Sequence, residues 1–305
     1  MKPDQLLRVA YFGKLPSRPD FVKGGDHHQL SALLDEWIAA TMAALAANPR
    51  WKQHYDAFEP MDFAFVGPRS AHAIAGHLRT SSDQSLRRFP FVLMTVIEVD
   101  CRKRLLSDYP QLFSAFWDDA SRAAALSREL AAALAVSGSA PEAAPDLAAL
   151  EQLLGAGGRR FSVRGIMMGI GLLLQPFRWS GSQRLDRSIV LPLPQEPAAQ
   201  NGTAAFWLSL IAPFVRDAEV ELALFLTRRG GRPVLAVSFS GASPSALQAM
   251  IDPEFAAQHQ ITFDDTAWVD EMIRQDGAVL RLGACLEQGS LSLQAARQVF
   301  LDTFA

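Results

Sequence analysis

Cysteine is nearly missing. The chain of 305 residues has two, Cys101 and Cys285, far apart and in no metal-ligand spacing. That excludes a disulfide framework or a cysteine-based zinc site as the organising device, and it suits a reducing compartment. Long apolar runs are missing too. The longest, Gly165 to Gln175, falls well short of the ~20 residues a membrane span needs. The opening Met1-Lys2-Pro3-Asp4-Gln5 lacks the apolar centre of a signal peptide. The expectation is a cytoplasmic protein with no membrane insertion. There is no basic stripe either: the net charge is −3 and the basic residues are dispersed, which argues against nucleic acid as a partner. Arg87-Arg88, Arg159-Arg160 and Arg228-Arg229 stand as isolated pairs and read as solvated turn residues.

Catalytic signatures are also wanting. Gly13-Lys14 suggests phosphate binding, but Leu15-Pro16 follows and no second glycine precedes, so a P-loop is rejected. His72, His77, Ser81, Ser82 and Asp83 lie close in sequence, yet no G-x-S-x-G elbow exposes a serine. The two histidines are five positions apart on an expected strand, which puts them on opposite faces. His27-His28 beside Asp26 sits at an expected helix start, whose positive dipole end disfavours a cation. Asp118-Asp119 and Asp264-Asp265 are adjacent pairs that read as solvated turns or helix starts. No metal, cofactor or catalytic residue is assigned.

What is present is a mixed α/β pattern, 49% hydrophobic and 20% charged, ordinary for a globular chain. Leu30, Leu33, Leu34, Trp37, Ile38, Met42 and Leu45 recur at helical spacing, after Asp26 as an expected N-cap. Met61 to Val66 alternates as a strand, Ala71 to Leu78 reads as its hairpin partner, and Phe89 to Val99 as a central strand covered on both faces. Leu112 to Leu134 marks a long helix, and a second helix runs from about Asp146 to Leu154. Val163 to Leu174 is ambiguous, with Gly165, Gly169 and Gly171 favouring strand or irregular structure. A helix is expected from Asn201-Gly202, ended or bent by Pro213. The clearest hairpin joins Val220–Leu226 to Pro233–Phe239 across Gly230-Gly231. Ser243-Pro244 opens a short helix, Val279 to Leu282 reads as a strand, and Ser292 to Phe304 as a helix. The expected fold class is α/β (α+β): a largely antiparallel central sheet with helices packed on its faces, plus a C-terminal α+β extension. Residues 1–122 form the first half of the core, 123–160 an Ala-rich helical joint, and 161–305 a second half packed on the first.

Two loops stand out. In Tyr11-Phe12-Gly13-Lys14-Leu15-Pro16-Ser17-Arg18-Pro19-Asp20-Phe21-Val22, one glycine and two prolines constrain the backbone, more stiffness than a mere connection requires. The second runs Gly76-His77-Leu78-Arg79-Thr80-Ser81-Ser82-Asp83-Gln84-Ser85-Leu86-Arg87-Arg88-Phe89-Pro90-Phe91. The first resembles the N-terminal signature of the TagF (ImpM) family of type VI secretion-associated proteins, close to Y-G-K-L-P-S-R-G-D-F-V. The second is similar to that family's G-x-L-x-P-S-x-D-x-x-G-R-x-F-P-L segment. Here Pro19 stands where Gly is usual, Thr80 where Pro is usual, and Leu86 where the second Gly is usual.

The resemblance implies an accessory regulator of type VI secretion, a post-translational repressor that works by protein contact, notably with the forkhead-associated (Fha) scaffold protein. Some relatives carry a fused metal-dependent phosphatase, whose D-G-x-G-G-like motif does not occur here. A hydrolase using Ser81 or Ser82 and a structural adaptor of the apparatus are the alternatives. The candidate partner-binding or scaffold residues are Gly13, Lys14, Leu15, Pro16, Arg18 and Asp20, with Arg79, Ser81, Ser82, Asp83, Arg87, Arg88, Phe89 and Pro90. The loops are expected side by side, tied by Asp20 or Asp83 to Arg18, Arg87 or Arg88. Lys14, Leu15, Pro16 and Arg79 are then expected to be exposed to a partner.

Overall fold

A strand whose consecutive side chains are all apolar needs a helical layer on each face of its sheet. Phe91 to Met94 meets that condition, and so does Leu222 to Leu226. A computed structural model of the protein describes residues 9–25, 28–67, 70–99, 106–126, 144–156, 158–179, 185–216, 220–273, 277–287 and 290–305. The first half supplies β1 (Val9–Gly13), β2 (Val22–Gly24), α1 (His28–Leu45), α2 (Trp51–Ala57), β3 (Met61–Val66), β4 (His72–Arg79), β5 (Phe91–Glu98) and α3 (Tyr109–Leu126). The second half begins with α4 (Leu147–Gly155), α5 (Val163–Leu174), α6 (Pro176–Trp179), β6 (Ser188–Pro192), α7 (Pro197–Val215), β7 (Leu222–Arg229) and β8 (Arg232–Ser238). It ends with α8 (Pro244–Ile251), α9 (Pro253–His259), β9 (Gln260–Thr262), α10 (Ala267–Ile273), α11 (Gly277–Leu286) and α12 (Leu293–Phe304).

Among the described residues the strands form one nine-stranded sheet in the order β2-β1-β5-β4-β3-β7-β8-β6-β9. All pairings are antiparallel except β6 with β9. The fold is therefore the mixed α/β, largely antiparallel sheet with helices that the sequence pattern implies. Period-two alternation sorts the core into two layers. Phe91, Leu93, Leu222, Leu224, Leu235 and Val237 face α3, α4, α5, α7, α11 and α12. Val92, Met94, Ala223, Phe225 and Ala236 face α1 and α8.

The halves meet where β3 pairs with β7, from Asp62 opposite Leu226 to Val66 opposite Leu222. Trp37 of α1 covers this seam. Its ring lies parallel to Phe225 of β7 at 6.5 Å and edge-on to Phe65 of β3 at 5.1 Å.

Several expectations change. Val163 to Leu174 is an α-helix, capped by the Ser162 hydroxyl accepting from the Gly165 amide. Its glycines leave room for neighbours: a Cβ at Gly165, Gly169 or Gly171 would collide with Thr266, Phe263 or Phe304. Val279 to Leu282 belongs to α11, where Val279, Leu282 and Leu286 are the buried side of a helix. Lys23-Gly24 is not simply a turn, since β2 pairs with β1. α7 begins at Pro197 and runs past Pro213 to Val215. The Asp26 cap, Cys101 and most of the Ala-rich stretch lie outside the described residues. No helix among the described residues is long and apolar enough to cross a membrane.

Gly76 of the second signature block sits opposite Phe63, and a Cβ there would lie 2.0 Å from that ring. Gly76→Ala is expected to lower the unfolding free energy by about 1–3 kcal/mol through overpacking, read by urea denaturation. Adding Phe63→Leu should cost less than the two single changes summed. A wild-type midpoint for Gly76→Ala would contradict this contact.

Candidate functional site

The two signature loops leave the ends of β1 and β4 and return to β2 and β5. Gly13 makes their approach possible. Its φ is 132°, and a Cβ would meet the Pro90 carbonyl oxygen at 2.1 Å, so only glycine lets the first loop lie against the second.

The centre of the site is Asp83, with its side chain fully buried. Its carboxylate accepts from four donors: the amides of Ser85 at 3.0 Å and Arg87 at 2.9 Å, Arg87 Nε at 2.6 Å and Lys14 Nζ at 3.0 Å. Burial alone would raise the Asp83 pKa, but the Arg87 amide and the Lys14 and Arg87 side chains outweigh it and hold the carboxyl at about 2. Arg87 also donates from Nη2 to the Pro19 carbonyl at 2.9 Å, and the Gln84 amide donates to the Arg18 carbonyl at 2.9 Å. The loops are thus one hydrogen-bonded unit. Lys14 is 7% exposed and lies 5.0 Å below the Phe21 ring, which packs edge-on against Phe89 at 4.9 Å.

A clamp from α2 holds the second loop from behind. The Tyr55 hydroxyl donates to the Ser81 carbonyl and accepts from the Ser81 amide, both at 3.0 Å. Burial pushes the Tyr55 phenol well up, so it stays a neutral donor. Asp56 accepts a two-pronged bond from Arg88, at 2.8 and 2.6 Å. Neither Tyr55 nor Asp56 was among the sequence candidates. Each meets its partner more than twenty positions along the chain, and no short-range spacing signals that. Arg87 and Arg88 form ion pairs and are not simply solvated turn residues.

The second loop closes tightly, with Ser82 bridged to Arg88 and the Leu86 amide donating to the Asp83 carbonyl. Leu86 adopts φ 62°, the one positive φ of a non-glycine among the described residues, and its side chain is 76% exposed. A left-handed leucine pays strain without packing anything in return.

The expected exposed face is corrected at three residues. Lys14 is buried in the ion pair, and Leu15 is half-buried against the core. Pro16 and Arg18 are exposed, whereas Arg79 is half-buried. Asp20 accepts from the adjacent Phe21 amide at 2.8 Å and does not tie the loops together. His77 is buried and bonds Asp62 at 2.7 Å, while His72 is exposed at the far end of β4. Ser81 is held through its backbone, and Phe89 and Pro90 are buried beneath the loops.

Residues 10–138 match the family model of the TagF N-terminal domain, type VI secretion system-associated. Both loops fall inside the matched stretch. A solved structure, PA0076 from Pseudomonas aeruginosa PAO1, is 22% identical, with 41% of this chain and 57% of that chain covered and a TM-score of 0.33. The chain thus spans little more than half the length of that structure. No curated protein matches this chain.

The depressed Asp83 pKa has a defined sign. Its stabilising contribution is full above the ordinary value of 3.8 and is lost as pH falls through about 2. Acid titration by circular dichroism should show a loss of stability across that window that Asp83→Asn removes. Equal slopes for both proteins would contradict the assignment. At the tip, Leu86→Gly relieves left-handed strain of about 1–2 kcal/mol against an unfolded-state penalty of about 0.4–1 kcal/mol. The variant should be about 0.5–1 kcal/mol more stable in urea, and a destabilised variant would show that Leu86 packs.

Proposed function

We propose that this protein is a non-catalytic accessory regulator of the type VI secretion system, a cytoplasmic post-translational repressor acting by protein contact, with the forkhead-associated scaffold protein as the partner. The observation that carries the reading is the exposed, strained Leu86 on a loop fixed from beneath by Asp83 and from behind by Tyr55 and Asp56. Strain of this kind persists only where the surroundings over-determine it, and it concentrates at sites that bind. A preformed loop loses little conformational freedom on docking, so contact free energy goes into affinity. The match to a type VI secretion system-associated N-terminal domain supports that choice of system.

The contact surface is Leu86 with the exposed Pro16, Arg18 and half-exposed Phe21. A repressor of this kind binds one state of its target in preference to the assembly-competent one, and shifts the equilibrium by that difference in affinity.

Deletion of the gene should raise secretion. Loss of secretion would instead favour a structural adaptor. Leu86→Asp and Arg18→Glu should fold like wild type, yet lose co-purification of the forkhead-associated protein and lose repression. Retained capture by both variants would remove this surface from the account. The Ser81→Ala/Ser82→Ala double variant should still repress; loss of repression with retained fold and capture would turn the reading to a hydrolase.

A further inference from the structure

The second half of the chain, outside the stretch matched to the TagF N-terminal domain, contains a cavity of about 200 Å³ at the turn end of the β7–β8 hairpin. Its apolar wall is built by Val190, Val234, Phe161 and Phe263, and three arginines line it, Arg159, Arg229 and Arg232. Against these three cations the lining has one carboxylate, Asp264.

The arginines are not equivalent. Arg159 is neutralised, 3.1 Å from the Asp264 carboxylate, and it donates as well to the Asp264 carbonyl. Arg229 and Arg232 are paired directly across the hairpin, on either side of Gly230-Gly231. Like charges at directly opposed positions destabilise a β-pair. The turn does not require them, since the two glycines at φ 55° and 75° set its geometry by themselves. Arg229 donates to a neutral acceptor, the Gln260 side-chain oxygen. Burial draws its pKa below the ordinary value, with Asp264 opposing. The Arg232 side chain has no hydrogen-bond or ion-pair partner among the described residues. Two arginines therefore line an apolar-walled space with no carboxylate in ion-pair contact with either.

We propose that this cavity binds a small amphipathic anion, its carboxylate or phosphate head held between Arg229 and Arg232 and its apolar body lying against Val190, Val234 and Phe263. Guanidinium forks match the oxygen spacing of both head groups. The cavity has room for on the order of ten non-hydrogen atoms, which fits a short chain or a single ring. Neutralising the opposed pair also removes a repulsion from the hairpin, so binding and fold stability are linked. Sequence reading took Arg159 and Arg229 as solvated turn residues, because nothing local shows that β6, β8 and the segment after α4 close over them.

The test titrates hexanoate, hexyl phosphate, hexylamine and inorganic phosphate into the full chain, with calorimetry and thermal unfolding as readouts. Saturable binding of hexanoate or hexyl phosphate with a raised Tm is expected, and whichever binds more tightly identifies the head group. Hexylamine should not bind, and inorganic phosphate should bind at least about tenfold more weakly than the better hexyl anion, for want of an apolar body. Arg232→Gln should weaken the better anion by about tenfold or more, while its ligand-free Tm equals or exceeds that of wild type. Arg232→Lys, which keeps the charge and loses the fork, should fall between them. Failure of both hexyl anions to bind at millimolar concentration, equal binding by Arg232→Gln and wild type, or equal binding of hexylamine would each overturn the proposal.

Discussion

The structure at the candidate site depends on one buried ion pair, Lys14 with Asp83. Taking a carboxylate and an ammonium out of water costs several kcal/mol per ion, repaid only when every remaining lone pair and proton is satisfied. Asp83 meets that condition with two backbone amides and two cationic side chains. Such a network tolerates little displacement, so the two loops have one arrangement relative to each other. The rest follows from that constraint. Gly13 has to be a glycine because the loops approach to backbone contact, and Leu86 is held left-handed because the turn from Asp83 to Arg87 closes around the carboxylate.

The sheet provides the platform for this unit. β1, β4 and β5 are adjacent in it, so the loops at their ends emerge together. α2, lying beside them, reaches Ser81 and Arg88 from behind. The β3–β7 pairing carries the same sheet into the second half, and Trp37 stacks across that seam. The arginine-lined cavity is at the far side of the sheet order, around β7, β8, β6 and β9, remote in topology from the loops. One scaffold thus carries both the tied loops and the arginine-lined cavity.

Much of this was legible in the residues. Period-two alternation located the β3–β4 and β7–β8 hairpins, the Gly230-Gly231 turn among them. The Ser243-Pro244 pair marked the start of α8. The two signature loops drew attention as stiff, charged segments. What failed did so for identifiable reasons. Glycines in α5 were read as helix breakers, yet they make space for Thr266, Phe263 and Phe304, which arrive from distant parts of the chain. In α11 four residues were too short a window to separate period two from 3.6. Lys14 looked like a solvent-facing charge because its counter-ion lies 69 positions away in sequence. Long-range partners of that kind also hid Tyr55 and Asp56.

The central claim is that the Lys14–Asp83 pair makes the two loops a single rigid unit. Amide hydrogen exchange tests it most directly, followed at Gln84, Ser85, Leu86 and Arg87, whose amides donate within the network. The account predicts that they exchange slowly and together in the wild-type protein, and that Lys14→Met speeds all four while leaving the β7–β8 amides protected. Rapid, independent exchange of these amides in the wild-type protein would contradict it.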